Sequence, residues 1–114
     1  MSLDRESPSD PLDFIQHCVR EGKVFWTYHV TMRLRERSIS RRVVLESVDA
    51  YEIIEENPED KYLPSYLVYA AHEGTVFHLL FATDVHGGNV RVITVYRPSL
   101  QDWEEDLKIR RRSS

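Results

Sequence analysis

The stretch "SYLVYAAHEGTVFHLLFATDVHGGNVRVITVY", residues 65–96, decides the fold. Three runs rich in Val, Ile, Leu, Phe and Tyr are separated by two turn signals. β-Branched and aromatic side chains suit the pleated strand, and glycine beside a polar residue suits a tight turn. The predicted strands are "SYLVYAA", "TVFHLLFAT" and "NVRVITVY", joined through "HEG" and "HGGN". Connections this short make neighbouring strands antiparallel. The segment therefore reads as a three-stranded meander.

The turns also predict a register. A turn at Glu73-Gly74 sets Tyr69 opposite His78. A four-residue "HGGN" loop sets His78 opposite Arg97, Leu79 opposite Tyr96 and Asp84 opposite Arg91. Side chains alternate between faces. One face then collects Tyr66, Val68, Phe77, Leu79, Phe81, Val92, Thr94 and Tyr96. It is the more apolar, so the helices are expected to pack there. The other face holds Leu67, Leu80, Ile93 and Val95 with a lateral row of Tyr69, His78 and Arg97. That face is half apolar and calls for cover by the last helix or by a partner subunit.

Working outward, "YEIIEEN" (51–57) reads as one more strand, closed by the turn-prone "NPED". Three helices precede it. Asp10 suits an N-cap with Pro11 at the first helical position. Leu12, Ile15, Cys18 and Val19 follow at helical spacing until Gly22 stops the helix. Residues 24–27 form a short extended piece. Helix two covers about 28–37. Ser40 caps helix three, about 41–49, with Val44, Leu45 and Val48 on one side. After the sheet, Ser99 and Asp102 resemble a capping pair for a short helix bearing Trp103 and Leu107. The predicted class is α+β: N-terminal helices on one face of a mainly antiparallel four-stranded sheet, with a short C-terminal helix. The predicted organisation is a disordered tail (1–9), a single domain (10–107) and a basic tail (108–114).

The bulk numbers narrow the function classes. The chain has 114 residues, 41% hydrophobic, enough for one modest core. No apolar run approaches the roughly 18 residues of a membrane span, and no secretory signal is visible. One cysteine, Cys18, allows no internal disulfide and no multi-cysteine metal site. A cytoplasmic protein is expected. The net charge of −4 and pI of about 5.7 argue against wholesale nonspecific nucleic-acid binding. The charge is uneven, however. Five arginines (33, 35, 37, 41 and 42) crowd one segment, Lys108 and three arginines crowd the C-terminus, and an acidic block spans 46–60.

"WTYHVTMRLRERSIS", residues 26–40, carries the densest chemistry. On helix two, His29, Arg33 and Arg37 share an arc of about 80°. Val30 and Leu34 lie just beyond Arg37, so the polar stripe borders the buried edge. Arginine there can lay its stem on the core and aim its guanidinium at a groove. An ion pair from Arg37 to the acidic strand is the alternative. Metal-independent RNA cleavage needs one proton removed, one donated and a charged phosphorane stabilised. Histidine suits the proton transfers, and arginine supplies a permanently charged fork for phosphate. His29, His78 and Tyr96 are the candidate catalytic groups. Arg33, Arg37 and Arg97 are the candidate phosphate-binding groups. The histidines are not at metal-ligand spacing, so neither metal nor cofactor is expected. The chain also has no P-loop, no dinucleotide-binding glycine turn and no nucleophile elbow.

Taken in order, "YHVTMRLRERSIS", "EIIEENPEDKYLPSYLVYA", "VFHLLFATD" and "VRVITVYRP" resemble a small bacterial family, a domain of unknown function. The resemblance covers roughly residues 24–98. More remotely, it is similar to the RelE-type and BrnT-type toxins of toxin–antitoxin pairs, which are small α+β ribonucleases. The resemblance implies a RelE-like fold, RNA as substrate and an antitoxin protein as partner. It singles out His29, Arg33, Arg37, His78, Thr94 and Tyr96. RelE-type toxins are usually strongly basic, which this chain is not. The second reading is a non-catalytic binding or regulatory module on the same scaffold, forming a homodimer through the half-apolar sheet face. In the predicted register, His78 and Tyr96 lie on opposite faces.

Overall fold

A computed structural model describes residues 6–112. The predicted disordered tail falls mostly outside that span. Helix α1 is Pro11–Arg20, with the Asp10 side chain accepting from the Asp13 N–H at 3.1 Å. Gly22, at φ +73°, turns the chain into strand β1, Val24–Trp26. Thr27 then caps α2, Tyr28–Glu36, and Ser40 caps α3, Arg41–Glu46. The third helix is shorter than expected: a 3-10 turn at Val48–Ala50 replaces its last residues. Val44 is buried, whereas Leu45 points outward and is exposed.

Strands β2 (Glu52–Asn57), β3 (Ser65–His72), β4 (Thr75–Asp84) and β5 (Asn89–Tyr96) complete the fold. The sheet has five strands, in the order β1-β5-β4-β3-β2, not four. The short piece read as merely extended is the fifth strand. It lies parallel to β5, with Phe25 beside Arg91. Three residues are too few to show a strand period, and their partner lies far along the chain.

The first hairpin has the expected register, with Tyr69 opposite His78. The second does not. Asp84 faces Asn89, so the loop is Val85 to Gly88. That slip of two residues preserves sidedness, because side chains alternate with period two. A bulge at Ile93 then shifts the ladder by one residue. Beyond it Leu79 faces Val95 and His78 faces Tyr96. One extra residue reverses the sides of everything after it. Thr94 and Tyr96 therefore leave the helix-packed face, and Val95 joins it.

The core fills the space between the helices and that face. Ile15, Cys18, Val30, Leu34 and Val44 from the helices meet Val68, Phe77, Leu79, Phe81, Val92 and Val95 from the sheet. At roughly 25 cal/mol per Å² of apolar area removed from water, this contact is the main source of stability.

The C-terminal segment, 99–112, covers the part of the second face around His78 and Tyr69. It is not the expected helix. Ser99 starts a single turn, accepting from the Asp102 and Trp103 N–H groups, and the chain then doubles back in a strap that pairs Trp103 with Arg110. Trp103 is 2% exposed and packs edge-on against His78 at 4.5 Å. Lys108, Arg110 and Arg111 pair with Glu52, Glu55 and Glu104 at 2.8–2.9 Å. Two carboxylates of the acidic strand β2, Glu52 and Glu55, are thus paired with C-terminal cations. Among the described residues no helix is long and apolar enough to cross a membrane.

Candidate functional site

Helix α2 is anchored by Val30 and Leu34, both buried. Burying that edge leaves His29 exposed and sets Arg33 and Arg37 half-buried along one flank, as the helical spacing predicts. Arg33 Nε donates to His29 Nε2 at 3.4 Å. Arg33 also meets the Glu36 carboxylate at 3.5 Å. His29 and Arg33 form one small solvent-facing pair.

Arg37 lies two turns further on and has a different commitment. Its guanidinium donates to the Val95 carbonyl of β5, not to a carboxylate of β2. Arg97 reaches back from the end of β5 to the carbonyls of Arg37 and Ser38 (3.2 Å to the latter). These carbonyls end α2 and lack intrahelical donors, so a cation there satisfies them. Ser38 makes the turn at φ +55°, a conformation uncommon outside glycine. Glu36, Arg37, Ser38, Tyr96 and Arg97 line an open depression of about 430 Å³. Three of the six candidate residues meet there.

His78 sits beneath. It is fully buried, and both ring nitrogens are engaged. Nε2 lies 2.7 Å from the Leu107 carbonyl and Nδ1 lies 3.2 Å from the Tyr96 hydroxyl. A carbonyl only accepts, so Nε2 carries the proton and Tyr96 donates to Nδ1. Burial holds the imidazole below its ordinary pKa, outweighing the Leu107 carbonyl and the Glu55 charge that favour protonation. Burial likewise raises the Tyr96 phenol. Both stay neutral near pH 7. The bulge at Ile93 is what brings Tyr96 to His78.

Charge separates along the domain. Arg35, Arg37, Arg41 and Arg97 make no ion pair among the described residues, whereas Arg20, Arg42, Arg91, Arg110 and Arg111 do. Arg35, Arg37 and Arg97 lie at the C-terminal end of α2, while the Arg41 guanidinium lies against Trp26 and Thr31 toward its start. Among the described residues no cluster of His, Cys, Asp and Glu is arranged to hold a metal ion.

A family model described as "Domain of unknown function (DUF4258)" matches residues 26–97, more than half of the chain. The chain belongs to the DUF4258 family. No curated protein and no solved structure matches it. The DUF4258 segment runs from Trp26 to Arg97 and so contains all six candidate residues. Helix α1 and the strap lie outside it.

The sequence did not point to Ser38, whose carbonyl and turn geometry organise the DUF4258 depression. A positive φ at serine leaves no compositional mark. Glu36, which tempers Arg33, was visible only as one acidic residue at i+3 spacing.

Proposed function

We propose that this domain is an RNA-contacting, toxin-like ribonuclease of the metal-independent, RelE-superfamily kind. His29 would move the proton. Arg33, Arg37 and Arg97 would face phosphate oxygens, with Tyr96 lining the depression between them. An antitoxin protein that covers this edge would hold it in check, in a cytoplasmic setting. The observation that supports the reading is the exposed His29–Arg33 pair on the same helix flank as the depression lined by Arg37, Tyr96 and Arg97. Guanidinium groups bind phosphate in forked geometry, and an adjoining imidazole can exchange a proton near neutrality.

One observation favours a second reading, a non-catalytic binding module. Cleavage needs two proton transfers. His78 has both nitrogens occupied in the interior, and Tyr96 already donates to it. That leaves His29 as the exposed imidazole of the set. In this reading the domain grips RNA or pairs with a second copy without cutting.

The test is cleavage of single-stranded RNA, together with growth arrest on expression, for wild type and His29→Ala, with folding checked by circular dichroism. Loss of cleavage in the folded variant supports the nuclease. Equal cleavage removes His29 from the mechanism. Retention of RNA on a filter without cleavage, weakened by Arg33→Ala, selects the binding module.

A further inference from the structure

On the other flank of α2, a groove of about 360 Å³ runs between this helix and the start of α3. Its floor is Leu34 and Ile39, both buried. Its rim carries Arg35 and Arg41 with the Thr31, Ser38 and Ser40 side chains, and no carboxylate lines it. Thr31 and Arg35 lie about 160–200° around the helix from Arg33, so this groove is not the His29 edge.

Arg41 is held in place. Its guanidinium carbon lies over the Trp26 ring, 5.1 Å from the ring centre, and Nη2 donates to Thr31 Oγ1 at 2.6 Å. The same arginine lines the groove. A guanidinium plane fixed on an aromatic ring is a ready stacking platform for a nucleobase. The apolar floor suits a flat ring edge, the hydroxyls can meet its polar atoms, and Arg35 is placed for a phosphate.

We propose that this groove binds a nucleotide, its base stacked on Arg41 and its phosphate facing Arg35. Three features carry the proposal: the pinned guanidinium, the apolar floor and a rim with two cations and no carboxylate. It goes beyond the ribonuclease reading and stands without it. The occupant is either a free nucleoside monophosphate or one unit of a single-stranded RNA.

The experiment titrates the full chain with AMP, adenosine, ribose 5-phosphate and a hexa-adenylate RNA, following calorimetry and Trp26 fluorescence. AMP is expected to bind and to quench Trp26, and ribose 5-phosphate to bind at least about tenfold more weakly. Arg41→Lys keeps the charge and removes the plane, and is expected to weaken AMP about tenfold. Should that variant unfold, Arg35→Ala serves: AMP weakens and adenosine does not. Tighter binding of the hexamer than of AMP that is lost in Arg41→Lys marks an RNA unit in this groove, and binding of AMP that the hexamer does not compete away marks a free nucleotide. None of the AMP, adenosine or ribose 5-phosphate readouts involves cleavage, so the nuclease reading can fail separately. The proposal is overturned if neither AMP nor the hexamer binds, if ribose 5-phosphate binds as well as AMP, or if AMP binds a folded Arg41→Lys protein normally.

Discussion

Arg37 and Arg97 hold each other's elements: Arg37, ending α2, donates to a β5 carbonyl, and Arg97, following β5, donates to the carbonyls that end α2. The two side chains form one junction. Charged donors to carbonyls stabilise by about 1–2 kcal/mol when partly solvated, the low side of the usual range. Arg37→Ala and Arg97→Ala should each cost about that in urea unfolding. The double variant should cost clearly less than the sum, since either loss loosens the same contact. Strict additivity would mean two independent anchors.

His78 gives the domain an acid limit. The folded state holds its pKa below the ordinary imidazole value of 6.5, so the unfolded chain binds this proton at higher pH. Stability from the neutral ring is complete above 6.5 and is lost as pH falls from there toward the folded value. Protonating Nδ1 also displaces the Tyr96 donor. The urea midpoint should fall between about pH 7.5 and about pH 5.5. His78→Gln, which keeps a donor for Leu107, should flatten that fall.

The strap holds by its tryptophan more than by its charges. Trp103 is buried against His78 and beneath Arg110, whose guanidinium lies 4.5 Å over the ring. Trp103→Ala should cost about 3–5 kcal/mol through the cavity left behind. Arg110→Ala removes a solvated pair to Glu55 and should cost about 1 kcal/mol or less. Thermal unfolding of the two variants side by side tests the ordering. Equal losses would mean that the ion pairs carry the closure.

His29 and Arg33 should be nearly silent in stability and audible in binding. His29 is exposed, and its partner is another side chain of the same helix. His29→Ala should shift unfolding by no more than about 0.5 kcal/mol. If Arg33 meets a phosphate, Arg33→Ala should reduce the salt dependence of RNA binding by about 0.7 in the log–log slope. An unchanged slope would take Arg33 out of the contact.

The meander, the helix caps and the α2 stripe were legible in sequence because each rests on local chemistry. Asp10 and Ser40 sit where a helix needs a side-chain acceptor, whereas the Thr27 cap was read as part of the extended piece. The sidedness of Tyr96 was not legible. "VRVITVY" breaks its alternation at Val92-Ile93, where the bulge adds a residue, but two adjacent apolar residues also fit an unbulged strand with both faces covered. The strap was hidden for a related reason. Ser99 with Asp102 looks like a helix start, but the backbone completes one turn and is then drawn onto the sheet by Trp103. Arg37 illustrates a third limit. A groove-facing guanidinium and an ion pair to the acidic strand were the two expectations, and the guanidinium meets a β5 carbonyl made available by tertiary packing.

The parallel pairing of Val24 with Val90 sets the order in which the domain can be assembled. The two hairpins close over a few residues, whereas β1 must wait for a strand made far later. Loops that long close slowly, and their contacts form late on the route to the native state. Weakening β1 should therefore hasten unfolding and leave the refolding rate almost untouched, whereas damage at the Glu73-Gly74 turn should slow refolding itself.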